Sequence, residues 1–96
     1  MKITLAICLL LAFTREPDPS YKLVSAPGHT YGYDIYLHGR LLIHQTSIPG
    51  LPGNRGFRRK RDAAKVAVLV MTKLQRHILP PTVTRTEMDS LKIRLK

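Results

Sequence analysis

The sequence contains a single cysteine, Cys8. One thiol cannot supply a disulfide framework or the paired spacing of a thiolate zinc site. If the segment that carries Cys8 is removed, the remaining chain also has no thiol nucleophile. A length of 96 residues leaves room for one domain with one small core.

Acidic residues are also few. Six Asp and Glu stand against sixteen Lys and Arg, which gives a formal net charge of +10. This surplus predicts attraction to polyanions but does not bear on the fold. Four carboxylates of the main body are scattered along the sequence and indicate no acid/base dyad: Asp34, Asp62, Glu87 and Asp89.

Motifs for metal, phosphate and nucleophilic chemistry are missing. The four histidines share no metal-ligand spacing, and the Gly53–Gly56 run lacks the spacing and lysine of a phosphate-binding loop. Asp34 and His44 are expected roughly diagonal on one hairpin face, but Ser47 or Thr46 would have to act as nucleophile without an oxyanion pocket. We therefore expect a cross-strand polar pair, with no catalytic residue, metal or cofactor.

No apolar run is long enough to span a bilayer, which takes about 20 residues. The longest, Ile3–Phe13, follows Lys2 and has the length of the hydrophobic part of a secretory signal. We therefore expect residues 1–14 to be a signal or anchor segment, residues 15–20 a linker, and residues 21–96 one domain. This organisation predicts an exported protein of the periplasm or cell envelope.

Three fates of the N-terminal segment can be compared. Ala12 and Thr14 make a weak cleavage site, so the segment is either cleaved or kept as an anchor that contacts the membrane. Lipid attachment at Cys8 is disfavoured, because Ile7 is bulky where a small residue is required.

Three strands are predicted. Residues 31–36 and 40–45 are rich in aromatic and branched side chains and flank Leu37-His38-Gly39, which is typical of a hairpin. Tyr21–Ser25 is expected to pair beside the first of these strands through the turn at 27–30. A third strand is favoured because an isolated hairpin is marginally stable in water.

The hairpin register has two possibilities. A two-residue His38-Gly39 turn would set Ile35 opposite Leu42 and mix apolar and polar side chains on both faces. We choose a three-residue turn with Gly39 in a left-handed conformation, because it produces one apolar face. That register pairs Tyr36 with Arg40, Ile35 with Leu41, and Tyr33 with Ile43.

One long amphipathic helix is predicted from near Arg59 to about His77, with Lys65 and Lys73 off its apolar side. Phe57 is expected to pack against its first turn. The apolar stripe consists of Ala63, Val66, Ala67, Val70, Met71, Leu74 and Ile78.

The C-terminal region is predicted to hold a short helix with Thr86 as N-cap and Asp89 three residues on, ending near Leu91. A brief edge strand is expected over Lys92–Lys96. The predicted fold class is therefore α+β. It comprises a small antiparallel sheet of about three strands, one long helix covering one face, and a short C-terminal helix.

A run of basic residues lies where the long helix begins. Positive charge is unfavourable there, because the helix dipole is positive at its N-terminus, and Asp62 is the only nearby compensation. The same position, beside a glycine-rich loop, favours phosphate, sulfate or carboxylate binding. The alternative is a solvated charge run that aids solubility. The predicted anion- or partner-binding residues are Arg55, Arg58, Arg59, Lys60 and Arg61.

Six stretches of the sequence carry a family resemblance: Tyr31–Tyr36, Gly39–Gln45, Ile48–Phe57, Asp62-Ala63, Val66-Ala67 and Pro80–Thr84. Through them the sequence resembles the domain of unknown function 4907, a family of small exported proteins of Bacteroidota. The resemblance extends from about Gly32 to Leu91. It implies an envelope or secreted location and no assigned activity.

Two function classes follow. The first is a non-enzymatic exported module that binds an envelope protein or an anionic polymer or lipid. The second is a basic nucleic-acid-binding domain, which the basic run with nearby Tyr33, Tyr36 and Phe57 superficially suits. The export segment argues against the second class.

Overall fold

A computed structural model describes residues 18–95 of the chain. These residues form a three-stranded antiparallel sheet with strand order β1-β2-β3, and the long helix α1 packs against β2 and β1. The predicted α+β architecture is confirmed. The elements in order are β1 (Ser20–Ala26), β2 (Thr30–Leu37), β3 (Arg40–Gln45), α1 (Lys60–Gln75) and α2 (Arg85–Ser90).

The predicted β2–β3 turn is wrong. Leu37 pairs with Arg40, so His38 and Gly39 form a two-residue turn with φ of 54° and 77°. Positive φ at both central residues matches the twist of the flanking strands, which explains why this turn is preferred. Asn, Asp and His adopt positive φ more readily than other side chains, which suits His38 to the first position.

A bulge within β3 keeps the apolar face intact. Tyr36 pairs with Leu41 whereas Ile35 pairs with Ile43, which leaves Leu42 as the extra residue. The bulge shifts the pairing of β3 with β2 by one residue. As a result Ile43 lies opposite Ile35, on the face of the sheet that α1 covers. Leu41 therefore lies with Tyr36 on the face that α1 leaves uncovered, contrary to the prediction.

The hydrophobic core lies between the sheet and α1. The predicted stripe is confirmed for its buried centre, and Met71 and Leu74 pack partly buried at its border. The assignment of Ile78 to the stripe is wrong. The helix α1 ends at Gln75 and His77 has a positive φ, so the helical periodicity does not extend to Ile78. The core consists of Tyr33, Ile35, Ile48, Phe57, Ala63, Val66, Ala67, Val70, Val83, Met88 and Ile93.

Phe57 is fully buried, as predicted, and it also extends the sheet. Its N–H and carbonyl exchange two hydrogen bonds of 2.8 Å with Tyr31, beyond the point where β3 ends. Gly56 permits this close approach, because a Cβ atom there would lie 2.6 Å from Thr30 Oγ1 and 2.8 Å from the Tyr31 carbonyl oxygen. The loop before α1 is thus attached to the start of β2.

The C-terminal predictions need two corrections. α2 begins at Arg85 with Thr84 as N-cap, in a capping box with Glu87, rather than with Thr86. Residues 92–95 form no strand; Ile93 instead turns into the core, and its N–H donates to the Met88 carbonyl at 3.1 Å. The expectations for residues 1–14 and Cys8 lie outside the described residues. No helix within 18–95 has the length and apolarity needed to cross a membrane.

Candidate anion-binding cleft

An open cleft of about 640 Å³ lies where the β1–β2 turn, the loop before α1 and the C-terminal segment meet. Four of its lining side chains are arginines and a fifth is a histidine, and its lining within the described chain includes no acidic residue. The lining residues are Pro27, Gly28, His29, Thr30, Arg55, Arg58, Arg59 and Arg94. We call this site the arginine cleft.

The β1–β2 turn forms one wall of the arginine cleft. Gly28 and His29 both have positive φ, and the Thr30 hydroxyl donates to the Pro27 carbonyl at 2.8 Å. This closed turn leaves His29 exposed at the rim. Because Phe57 is hydrogen-bonded to Tyr31, the arginines on either side of Phe57 are brought next to this turn.

Arg59 is held at the base of α1 by a buried carboxylate. Its Nε donates to Asp62 Oδ2 at 2.8 Å and its Nη2 to Oδ1 at 3.1 Å, a two-point contact with a side chain that is 0% exposed. The N–H of Arg94 also donates to Asp62 Oδ2, at 3.0 Å. Asp62 therefore joins the helix start to the C-terminal segment, a role that its sequence position alone does not reveal.

Three cationic side chains hold the C-terminal segment, residues 91–95, through its carbonyl groups. Arg55 donates to the Leu95 carbonyl at 2.9 Å, Arg59 to that of Lys92 at 3.4 Å, and Lys65 to that of Leu91 at 3.1 Å. These contacts place the Arg94 side chain in the cleft wall. Part of the basic run thus has a structural role within the fold.

The predicted basic residues therefore divide into two groups. Arg55, Arg58 and Arg59 line the arginine cleft, whereas Lys60 and Arg61 are not among its lining residues. Lys60 Nζ lies 5.5 Å from the ring centroid of Tyr31, and Arg61 is exposed on the first turn of α1. Their predicted role in anion binding stays a prediction.

Arg58, like Arg94, keeps its guanidinium available in the cleft. It is exposed and makes no hydrogen bond or ion pair with any residue between 18 and 95. Arg94 and His29 were missed by sequence reasoning, because they lie 26 or more residues from the basic run. The only sequence signal for Arg94 is its place in a second, shorter basic stretch.

The polar pair Asp34 and His44 is confirmed as a cross-strand contact. The two residues lie directly opposite, not diagonal, and His44 Nδ1 contacts Asp34 Oδ1. The two-residue turn and the bulge at Leu42 each shift β3 by one residue relative to the predicted register, and together they explain the difference. Within residues 18–95, no three His, Cys, Asp or Glu side chains are placed to hold a metal ion.

A second open pocket of about 440 Å³ lies at the other end of the core, between Tyr33 and the Pro80–Val83 segment. Burial raises the pKa of Tyr33 to about 12, so its hydroxyl stays neutral across the physiological range. On the far side of this segment, Lys73 donates to Glu87 and lowers the pKa of that carboxyl group. Neither feature offers a charged site comparable to the arginine cleft.

The sequence model of the Domain of unknown function (DUF4907) family matches residues 24–90. The chain belongs to this family. The match confirms the resemblance. It covers both helices, β2, β3 and all of β1 except its first residues. Of the arginines that line the cleft of this DUF4907 domain, Arg94 alone lies beyond the match. No curated protein and no solved structure matches the chain.

Proposed function

We propose that this DUF4907 domain is an exported, non-enzymatic module that binds an anionic component of the cell envelope in the arginine cleft. The observation that carries the proposal is the convergence of four arginines from two distant segments of the chain, the loop before α1 and the C-terminal segment: Arg55, Arg58, Arg59 and Arg94. Guanidinium groups match phosphate, sulfate and carboxylate oxygens in two-point hydrogen bonds, which suits such a ligand.

The start of α1 adds to the positive potential of the cleft. Arg59 occupies the N-cap position, and no side-chain cap bonds the first turn. The N-terminus of a helix carries about half a positive charge, which favours an anion there. Asp62 offsets part of this charge, but it is fully buried and directed at Arg59 and the Arg94 N–H.

The export part of the proposal rests on Lys2 and the Ile3–Phe13 run. The alternative, nucleic-acid binding, relied on aromatic rings beside the basic run, on which the bases of a single strand could stack. Phe57 is 0% exposed and Tyr33 is 2% exposed, so both are core side chains. This burial removes two of the three aromatic residues on which the alternative relied.

The binding test uses purified lipopolysaccharide as the anionic probe and compares two single-charge variants. Arg58→Gln removes a cleft guanidinium, and Arg61→Gln removes the same charge from an exposed site outside the lining. We expect affinity to fall about tenfold for Arg58→Gln, the loss of one charge-assisted hydrogen bond, with little change for Arg61→Gln. Binding should also weaken steeply with salt, because exposed charges are screened within about 10 Å.

Equal losses in the two variants would contradict a defined site and would indicate diffuse attraction to net charge. Single-stranded DNA serves as the comparison ligand, because its bases can stack on aromatic rings. Tighter binding of DNA than of lipopolysaccharide, with Arg58→Gln affecting both, would favour the nucleic-acid alternative.

A further inference from the structure

One corner of the hairpin presents apolar side chains beside basic ones. Leu41 is 53% exposed and Leu42 is 50% exposed, and Leu41 lies opposite Tyr36 on the face that α1 leaves uncovered. Arg40 precedes the two leucines, and Lys22 Nζ lies 5.3 Å from the ring centroid of Tyr36. We call these five residues the hairpin corner.

The chain reaches the sheet beside this corner. Asp18 bonds His38 at the β2–β3 turn twice, through Nδ1 at 2.6 Å and through the backbone N–H at 2.8 Å. Phe13, the last residue of the apolar run, is five peptide units before Asp18. Five extended residues span at most about 18 Å. The apolar run therefore ends within this distance of the residue that is held at the hairpin turn.

We propose that the hairpin corner rests on the surface of an anionic phospholipid bilayer into which the uncleaved Ile3–Phe13 segment inserts. Leu41 and Leu42 enter the headgroup boundary, while Arg40 and Lys22 meet lipid phosphates. The proposal goes beyond anion binding in the arginine cleft, because none of these residues lines that cleft.

The length of the apolar run supports a second membrane contact. Eleven residues are too few to cross a bilayer, so the segment can only insert part-way. A second contact, apolar or basic, strengthens a partial insertion, as a basic patch strengthens the membrane binding of a protein with a single lipid chain. The hairpin corner supplies both kinds, and Tyr36 has the amphipathic ring that is enriched at membrane interfaces.

A second copy of the chain is the competing occupant, because β3 is an edge strand of the sheet. Edge-to-edge pairing needs a regular, uncharged strand. The bulge at Leu42 interrupts the ladder, and Arg40 places a charge at its start. These features disfavour strand pairing and leave the leucines available to lipid.

The test exploits the absence of tryptophan from the sequence. Full-length Leu42→Trp and Leu41→Trp each carry one fluorophore at the hairpin corner, and Val68→Trp carries one on the exposed side of α1, where Val68 is 46% exposed. The proteins are reconstituted in vesicles of phosphatidylglycerol and phosphatidylethanolamine, with and without brominated acyl chains. We expect a blue-shifted emission and at least twofold quenching at position 41 or 42, and neither at position 68.

Quenching at the hairpin corner no stronger than at position 68 would overturn the proposal. So would a blue shift without quenching, which would assign the surface to a second copy of the chain. Circular dichroism of the three variants shows that each is folded before the comparison is made. Recovery from cells of a chain that begins after residue 13 would overturn the proposal as well, whereas it would leave the arginine cleft unaffected.

Discussion

Arg59 contributes both to the fold, through its ion pair with Asp62, and to the candidate site, whose wall it lines. Asp62 is 0% exposed, and its charge is compensated by the Arg59 guanidinium and the Arg94 N–H. Removing one partner of a buried ion pair leaves an uncompensated charge in the core. The binding comparison for this reason uses Arg58, which has no such partner among residues 18–95.

The first residue-scale prediction concerns this ion pair. Arg59→Ala should lower the free energy of unfolding by about 3–5 kcal/mol, because Asp62 would be left buried without its cation. Arg61→Ala, two residues further along, should change it by less than about 0.5 kcal/mol, since Arg61 is exposed. Urea denaturation of both variants measures the difference. Similar changes in the free energy of unfolding for the two variants would mean that the ion pair of Arg59 with Asp62 does not stabilise the fold.

The second residue-scale prediction concerns alkaline stability. The pKa of Tyr33 is raised by burial from 10.0 to about 12, so the folded state keeps a proton that the unfolded chain releases. Stability should therefore fall as pH rises from 10 to 12, by an amount on the order of 3 kcal/mol. Tyr33→Phe should remove this part of the pH dependence in denaturation curves. An identical alkaline slope in Tyr33→Phe would assign the loss to other groups.

At the scale of elements, the packing of α1 against β2 and β1 forms most of the core. Phe57 and Val66 are both 0% exposed, and the Tyr33 and Phe57 ring centroids lie 6.2 Å apart. Truncation of either Phe57 or Val66 to Ala should destabilise the domain by about 2–5 kcal/mol, because it leaves a cavity that close-packed neighbours fill only partly. Thermal denaturation by circular dichroism provides the measurement.

The two lysines beside the helix stripe provide the contrast. Lys65 is exposed and contacts only a carbonyl of the C-terminal segment, so Lys65→Ala should have a small effect. Lys73 differs, since it lies 2.7 Å from Glu87 Oε2 and joins α1 to α2. We expect Lys73→Ala to cost more than Lys65→Ala. Equally small effects at Phe57, Val66 and both lysines would contradict the packing of α1 on this face.

At the scale of the whole molecule, the prediction concerns location. Lys2 and the Ile3–Phe13 run predict export that depends on the membrane machinery, with the sheet and helices outside the cytoplasm. Fusion of residues 1–30 to a reporter that is active only after export should yield activity, and replacing two central leucines of the run by Arg should abolish it. Accumulation of the full-length protein in the cytoplasm would contradict the prediction.

The architecture can be predicted from the sequence, because hydrophobic periodicity and turn residues are local signals. The alternation over β1 and β2, the glycines in the turns and the helical stripe from Ala63 to Val70 each depend on residues a few positions apart. Family membership was equally accessible, since it rests on ordered motifs along the chain. The burial of Phe57 was predicted from its position three residues before α1.

The register of β3 and the composition of the candidate site depend on contacts between distant residues, so they become visible only in the folded chain. The bulge at Leu42 reflects a balance between turn geometry and the pairing of Ile35 with Ile43, and neither signal alone selects it. The arginine cleft depends on contacts between distant residues, with Arg94 placed through its backbone bond to Asp62 across 32 positions. The basic run in the sequence shows that cationic side chains are present. It does not show which of them lie together in the cleft, because that depends on the folding of distant segments.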